Sequence, residues 1–512
     1  LKQYTQERSA MQVAVDIPPR HCIIKKHDME RVLLLRCDEY DPARIAQVIG
    51  AGMDELGVRP RGRTMVKPNC VIAHPEFFPH AFTRAEFLEG LLAALQSRGE
   101  AMTDLSVGER CGITIPTRYN YASAGYLPVL KRRHVRAVYF DEVRQVVRML
   151  TQPGSLRRYI YIPQPVAECE FLVNAPKFKA HPWTKITLAL KNYIGLQDDA
   201  HRLIDHDHML EVKIADLQQV ISPGLIVVDA IIAGELTMLT PLPFALGLIL
   251  MGTNPVAVDS IGARIVGLDP RDVDHIRISA ERGIGPLSLD EIQVSGDVTL
   301  DEAIARARGF RLSLDRVDKI FNGRSNLTVR VGSPPDSELG YDYCWGGCPG
   351  SLYEDMHVLR VMQPNVYHEI RPMHIVFGDW KEPLNPPPGE RVMFIGDCAR
   401  FSGQIHGKQV DIPYLYVSRE HKDPHTARSH DIIYKMIAVV WYWIRHRNQP
   451  VVRVRGCPSS MAETILYLSL LGGTVNPYLH PRITWKFLYY YAVSRLVRLW
   501  RRRLRPRLGL GA

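Results

Sequence analysis

Residues 31–67 read RVLLLRCDEYDPARIAQVIGAGMDELGVRPRGRTMVK, and the spacing of their apolar side chains decides the architecture. Arg31 to Cys37 is an almost unbroken apolar run, as in a strand covered on both faces. Pro42 to Leu56 repeats its apolar residues at helical intervals, and Arg63 to Lys67 predicts a second strand that ends at Lys67-Pro68-Asn69. The alternation continues outward. A helix is expected over Thr83 to Ser97, closed at Gly99 by a left-handed cap, and further strands over Ala137 to Phe140, Glu170 to Val173, Leu225 to Val228 and Leu246 to Met251. Strands taking turns with helices predict an α/β fold, a mostly parallel sheet with helices on both faces. In such sheets ligands gather at the carboxyl ends of the strands, where Lys67, Asn69, Lys177, Asp229 and Thr253 all fall.

The densest chemistry lies in Asn174 to Asp199, NAPKFKAHPWTKITLALKNYIGLQDD. Lys177, Lys179, Lys185 and Lys191 crowd into it with His181 and Asn192, and no carboxylate occurs between Asn174 and Gln197. Cations brought together at a strand end repel one another unless something anionic sits between them. The stretch therefore reads as a loop that grips an anionic small molecule, with a solvated lysine face as the plain alternative. On that reading Lys67, Asn69, Lys179, Asn192 and Asp229 bind substrate, Lys177 and Lys191 stabilise developing negative charge, and His181 moves a proton because its ordinary pKa lies near neutrality. Asn254, followed by Pro255, reads as a helix cap. The next loop, LQDDAHRLIDHDHML, places Asp198, Asp199, His201, Asp205, His206, Asp207 and His208 within eleven residues. A divalent metal site and a lid over the anion site are both open readings.

A chain of 512 residues is too long for one ordinary core, and 46% hydrophobic against 23% charged residues excludes wholesale disorder. The pattern turns irregular from Asp301 to Asn326. Four segments follow: an N-terminal extension (1–30), an anion-binding α/β domain (31–325), a smaller α/β domain bearing cysteines (326–480) and a basic helical tail (481–512). The second domain is expected to have strands at Met373 to Phe377, Val392 to Ile395 and Val451 to Val454, then a helix from Ser459 to Leu471 that stops at Gly472-Gly473. The whole chain's net charge of +10 is partly local, because Arg495 to Arg507 holds seven arginines and no acid. That tail interleaves Trp485, Phe487, Leu488, Tyr491, Leu496 and Leu499 with arginine, which suits a helix lying on an anionic membrane surface; an ordinary packed terminal helix is the alternative. No recognition motif accompanies the charge, so nucleic acid is not an expected partner. The first thirty residues lack a signal-type apolar core and no run of eighteen apolar residues occurs, so the expected location is cytoplasmic, peripheral on the inner face of the membrane.

Nine cysteines are too few for a disulfide scaffold of this length, and clustered thiols in a reducing compartment suggest metal. Cys344 and Cys348 lie in YCWGGCPGSLYEDM, Cys398 in FIGDCARFSG and Cys457 in VRGCPSS. Cys398 and Cys457 each closely follow a predicted strand, so parallel strands would bring all four thiols to one rim. Their glycine neighbours allow the close backbone approach and amide donors that a bulky cluster needs. A 4Fe-4S cluster is the expected cofactor; structural zinc and unligated core thiols are the alternatives. Cys22, Cys37, Cys70, Cys111 and Cys169 read as structural, with Cys70 beside the Lys67 loop.

Two resemblances join these readings. VKPNCV (Val66 to Val71), NAPKFKAHPWTKITLALKNYIGL, IVVDAI (Ile226 to Ile231) and LILMGTNPVAVDSIGARIVGLDP (Leu248 to Pro270) resemble the family called domain of unknown function 362, which implies an α/β domain often accompanied by iron-sulfur modules. The cysteine motifs are similar to the 4Fe-4S module of nickel-iron hydrogenase small subunits and of the quinone-proximal subunit of respiratory complex I. Gly396, Cys398 and Ala399, with Gly456, Cys457 and Pro458, match that pattern. The three residues between Cys344 and Cys348, and Ser459 in place of a second proline, depart from it. Together the observations lead to an iron-sulfur oxidoreductase that acts on an anionic small molecule and exchanges electrons with a redox partner protein. A lyase or isomerase with a structural or Lewis-acid cluster, and a non-enzymatic carrier or assembly factor for a cluster or cofactor, stay open.

Overall fold

The computed structural model describes residues 29–417, 431–446 and 448–501; Cys22 and the tail beyond residue 501 lie outside the described residues. The apolar run becomes strand β1 (Glu30–Arg36), followed by helix α1 (Pro42–Leu56). Asp41 starts this helix by accepting the Ala43 and Arg44 N–H groups at 3.0 and 3.4 Å, and Gly57 ends it at φ +66°. Then come β2 (Gly62–Pro68), α2 (Ala85–Arg98), β3 (Met102–Glu109) and β4 (Arg136–Tyr139). The left-handed cap expected at Gly99 is not formed. Its φ is −68°, because the Glu100 N–H is taken by the Pro60 carbonyl at 2.9 Å and draws the chain out extended; the turn falls at Ala101, φ +49°.

The lysine-rich stretch is a pair of strands, not the loop expected from its polarity. Strand β5 (Phe171–Ala175) stops at Pro176, which has no N–H to donate, and the chain continues extended as β6 (Lys177–His181) before turning back in β7 (Lys185–Thr187). Short helix α3 (Ala189–Asn192), α4 (Leu210–Gln218), β8 (Leu225–Glu235), β9 (Leu242–Gly252), α5 (Pro255–Ile265) and β10 (Ile292–Ser295) complete the unit. The ten strands run β10-β1-β9-β8-β5-β2-β3-β4, with β6 alongside β8 and β7 on β6. Pairing is parallel except that β9 opposes both β1 and β8, and β7 opposes β6. The pleat sends alternate residues to two cores. Leu33 packs with Ile45, Phe87 and Leu91 of α1 and α2 on one side, while Leu34 packs with Ile214, Leu217 and Ile261 of α4 and α5 on the other.

A second sheet contains β11 (Leu327–Val331), β12 (Met373–Asp379), β13 (Arg391–Ile405), β14 (Lys408–Ile412) and β15 (Val451–Val454). Strands β11, β12, β13 and β15 are parallel, and β14 folds back on the far half of β13. Around them lie α6 (Cys348–Met362), α7 (Ile432–His446), α8 (Met461–Gly472) and α9 (Pro481–Leu499). No described helix is long and apolar enough to cross a membrane.

The core of this second unit is not its own alone. Leu352, Met356, Ile375 and Leu466 pack in one cluster with Phe77, Phe78, Tyr119 and Leu239 of the first. Glycines permit the closest approaches: a Cβ on Gly346 would sit 1.7 Å from the Asp207 carbonyl oxygen, and one on Gly350 would sit 1.2 Å from Trp183 Nε1. Gly346→Ala is therefore expected to destabilise the protein by about 1–3 kcal/mol in urea unfolding, since backbone has to move. An unchanged midpoint would mean that this contact adds nothing to the folded state.

Candidate functional site

Four lysines are buried where β2, β6 and α3 meet: Lys67, Lys177, Lys179 and Lys191. Three of them have protein partners brought from elsewhere in the chain. Lys67 Nζ lies 2.9 Å from Glu109, whose carboxylate also accepts the Cys70 and Arg110 N–H groups, and donates to Asn192 Oδ1 at 3.3 Å. Lys177 Nζ lies 3.0 Å from Asp229 and 2.7 Å from the Tyr40 hydroxyl, which itself donates to Asp229. Asp229 additionally accepts the Arg84 N–H at the start of α2. Lys67, Lys177 and Asp229, expected to grip an anion or stabilise its charge, are engaged in these ion pairs and line neither of the two cavities described below. Lys185 turns away to the Asp272 carbonyl.

Lys179 has no carboxylate in contact. Its Nζ donates to the Ala81 and Met238 carbonyls at 2.7 and 3.0 Å, and burial, reinforced by the charge of Lys191, brings its pKa down to about 7. On the far side of the Met238 peptide, Glu354 of α6 accepts the Met238 and Leu239 N–H groups at 2.8 and 3.1 Å, and burial raises its pKa to about 7. One peptide unit thus separates a weakened base of the first unit from a weakened acid of the second.

Asn69 and Asn192 order this corner. Asn69 Nδ2 donates to Asn192 Oδ1 at 3.3 Å, and Asn192 Nδ2 donates to Asn174 Oδ1 at 2.8 Å. His181 does not have the pKa near neutrality that recommended it for proton transfer. Burial first, and then the charges of Lys191, His206 and Lys179, push it well below the usual value. Its Nδ1 accepts the Trp183 and Thr184 N–H groups, so the proton of the neutral ring is on Nε2, which is buried without a partner.

Lys191 differs from the others. It makes no hydrogen bond or ion pair among the described residues, and it lines a cavity of about 200 Å³ between the two units. Burial lowers its pKa to about 8. Trp183, Arg202 and His206 line the cavity from the first unit; Ser351, Ser459 and Ser460 line it from the second; the rest of the wall is mainly apolar. Most of these wall residues were not singled out from sequence. Glu354 and Ser351 carried the faint signal of polar side chains on the buried side of an otherwise apolar helix.

The Asp/His loop spreads its side chains over separate partners. Asp205 pairs with Arg157 and Asp199 with Arg110, His206 Nδ1 reaches the Gly346 carbonyl, and His208 Nε2 lies 2.9 Å from Asp336. The loop joins the lysine region to the cysteine unit instead of enclosing one ion. Among the described residues, no three His, Cys, Asp or Glu side chains come together closely enough to hold a single metal ion.

Cys344, Cys348, Cys398 and Cys457 nevertheless line one small cavity, with Gly347, Gly378 and Gly456 in its wall. Strands β13 and β15 deliver Cys398 and Cys457 side by side, and the start of α6 delivers Cys348. At Gly396, φ +103°, a Cβ would sit 3.3 Å from Cys348 Sγ and 3.5 Å from Cys398 Sγ; at Gly347 it would sit 2.6 Å from Cys344 Sγ. The Ser459 N–H donates to Cys348 Sγ at 3.2 Å, and the Cys457 thiol donates to Asp207 Oδ2 at 3.7 Å. Burial pushes the Cys344 thiol well up and Cys398 up to about 12, so both stay protonated at neutral pH unless a metal displaces the proton. Cys37, Cys70, Cys111 and Cys169 lie outside this cavity, the first three fully buried.

The buried ion pairs generate a prediction. Lys177→Met leaves Asp229 without its counter-charge and is expected to lower unfolding free energy by about 3–5 kcal/mol, read by urea denaturation. A loss below about 1 kcal/mol would mean that water, not Lys177, neutralises Asp229.

Comparison with known proteins adds distant relatives. A thylakoid-associated protein of Synechocystis sp. is 22% identical over 279 residues, 51% of this chain and 82% of that protein. Among solved structures, the lactate racemase apoprotein of Thermoanaerobacterium thermosaccharolyticum overlaps 69% of each chain at 9% identity and a TM-score of 0.29. A Thermotoga maritima protein from structural genomics overlaps 85% of this chain and 84% of its own at 10% identity and a TM-score of 0.32. Residues 64–264, which carry β2 to β9 and all four buried lysines, match the model of the family described as domain of unknown function (DUF362).

Proposed function

We propose that the protein is an iron-sulfur oxidoreductase, in which Cys344, Cys348, Cys398 and Cys457 hold a 4Fe-4S cluster and the neighbouring cavity receives an anionic small molecule at Lys191. The observation that carries this reading is that thiols from three separated segments line one glycine-walled space. Three residues separate Cys344 from Cys348, which is not the CxxC knuckle usual in structural zinc sites, and this favours a cluster over zinc. When bound, such a cluster supplies one-electron transfer.

The chain's own residues fit the remaining tasks. Backbone N–H groups of Ser459, Gly378 and His208 are directed at the sulfurs of Cys348, Cys398 and Cys344 and favour their thiolate forms. Pro458 belongs to the walls of both cavities, and Ser459 lines the larger one while its backbone serves Cys348. The two sites are thus a residue or two apart. Lys191, without a partner in a largely apolar wall, is placed to meet an anionic group of the ligand, and the low-dielectric surroundings strengthen that attraction. A cavity lined by Lys191 supports an enzyme over a carrier, and a full set of four thiols gives no support to an iron left open for lyase chemistry.

Purified without oxygen, the protein is expected to contain about four iron and four sulfide per chain and to change its electron paramagnetic resonance spectrum on reduction with dithionite. Zinc in place of iron would end the cluster assignment. Cys398→Ser should lose most of the iron while the circular dichroism of the first unit persists, and full iron retention would remove Cys398 from the ligand set.

Lys191 gives a pH test. A base whose folded pKa is about 8 is an ammonium below that value and neutral above it. Binding of an apolar anion such as anilinonaphthalene sulfonate should be flat below about pH 7 and weaken about tenfold per unit above about pH 8. Lys191→Met should remove both the affinity and its pH dependence. Equal binding by this variant would place the anion elsewhere.

A further inference from the structure

Helix α9 has two unlike faces. Ile483 and Phe487 are buried and help to wall the large cavity, whereas Trp485, Leu488, Tyr489, Leu496, Leu499 and Trp500 face outward, with Trp485 79% and Leu496 66% exposed. Those outward positions are i, i+3, i+4, i+11, i+14 and i+15, one continuous stripe along the helix. Helix α7 repeats the arrangement. Ile432 and Val439 are buried, while Tyr434, Ile437, Trp441 and Ile444, at i, i+3, i+7 and i+10, are each more than half exposed. The helices are tied together at Asp431, which accepts the Tyr491 hydroxyl at 2.6 Å and pairs with Arg495. Solvated apolar stripes of this length on two linked helices need a cover.

We infer that the outward faces of α7 and α9 form a docking surface for an anionic lipid bilayer. Charge selects this occupant. Neither helix contains an acid, and from Pro481 to Ala512 the chain has eight arginines, one lysine and no aspartate or glutamate. Arg482 and Arg495 have acidic neighbours in Glu76 and Asp431 but keep half or more of their side chains exposed, and Arg445 lies over the Trp441 ring at 5.3 Å. Tryptophan and tyrosine beside arginine are the side chains that settle at a headgroup boundary, with the apolar ring inward and the cation toward lipid phosphate. A helix lying in the surface plane also agrees with the absence of any described helix able to span.

The test is sedimentation of the full chain with vesicles of phosphatidylcholine alone or with phosphatidylglycerol. Binding is expected only with the anionic lipid and should weaken as salt rises. W485E/L496E and W441E/I444E should each reduce binding about tenfold or more, while L339E, at an exposed leucine on the β11–α6 connection, should bind as the unaltered chain does. Iron content and cavity binding, measured on the same variants, separate this inference from the proposed redox role: both should persist. No binding to anionic vesicles, or equal binding by the stripe variants, would overturn it. So would stripe-dependent dimers in sedimentation velocity without vesicle binding, since a second copy would then be the cover.

Discussion

Burying a cation in a protein interior costs several kcal/mol unless something in the fold answers its charge, and this molecule buries four lysines where β2, β6 and α3 meet. The positions of β2, β3, β6 and β8 follow from that demand. Glu109 ends β3 where Lys67 ends β2, and Asp229 is opposite Lys177 across the β6–β8 pairing. Lys179 is answered only by carbonyl dipoles and is correspondingly weakened as a base. Lys191 makes no hydrogen bond or ion pair among the described residues and feels the carboxylate charges of Glu211 and Glu354 at a distance. An ammonium without a contact partner, beside neighbours that have one, is the feature on which the proposed anion site rests.

The second unit meets a related demand with different chemistry. Burial favours the neutral thiols of Cys344, Cys348 and Cys398, and the glycines around them let main-chain N–H groups approach sulfur. Loss of a proton from each thiol would add negative charge to a wall approached by main-chain amides, with the Arg453 guanidinium near Cys398. On the proposed reading a metal centre would supply further positive charge there.

The alternation of strand and helix was legible because apolar runs and helical spacing are local properties. Helix α1 was readable to the residue from its apolar spacing over Pro42 to Leu56, whereas Gly99 misled because a tertiary hydrogen bond at Glu100 overrode its preference. The lysine stretch was misread as a loop for a similar reason. Its own residues contain no acid, but Glu109 and Asp229 arrive from strands 42 and 52 residues away from their partners, and a linear count cannot see across a sheet. His181 was valued for its ordinary pKa, a property that burial removes. The cysteines were better placed by sequence, since two of them follow parallel strands that topology sets side by side. What the text could not reveal was the cavity that adjoins both groups, because its wall is assembled from residues as distant as Val71 and Phe487.

The mixed cluster around Phe77, Phe78, Tyr119 and Leu239 has a consequence for how the two units behave as matter. Neighbouring units that merely touch can melt one after the other; units that own a hydrophobic nucleus in common lose it together. Severing this polypeptide at the junction between its sheets would leave each fragment with half of an oily seam turned to water. The two units are therefore bound to fold and melt as one cooperative body.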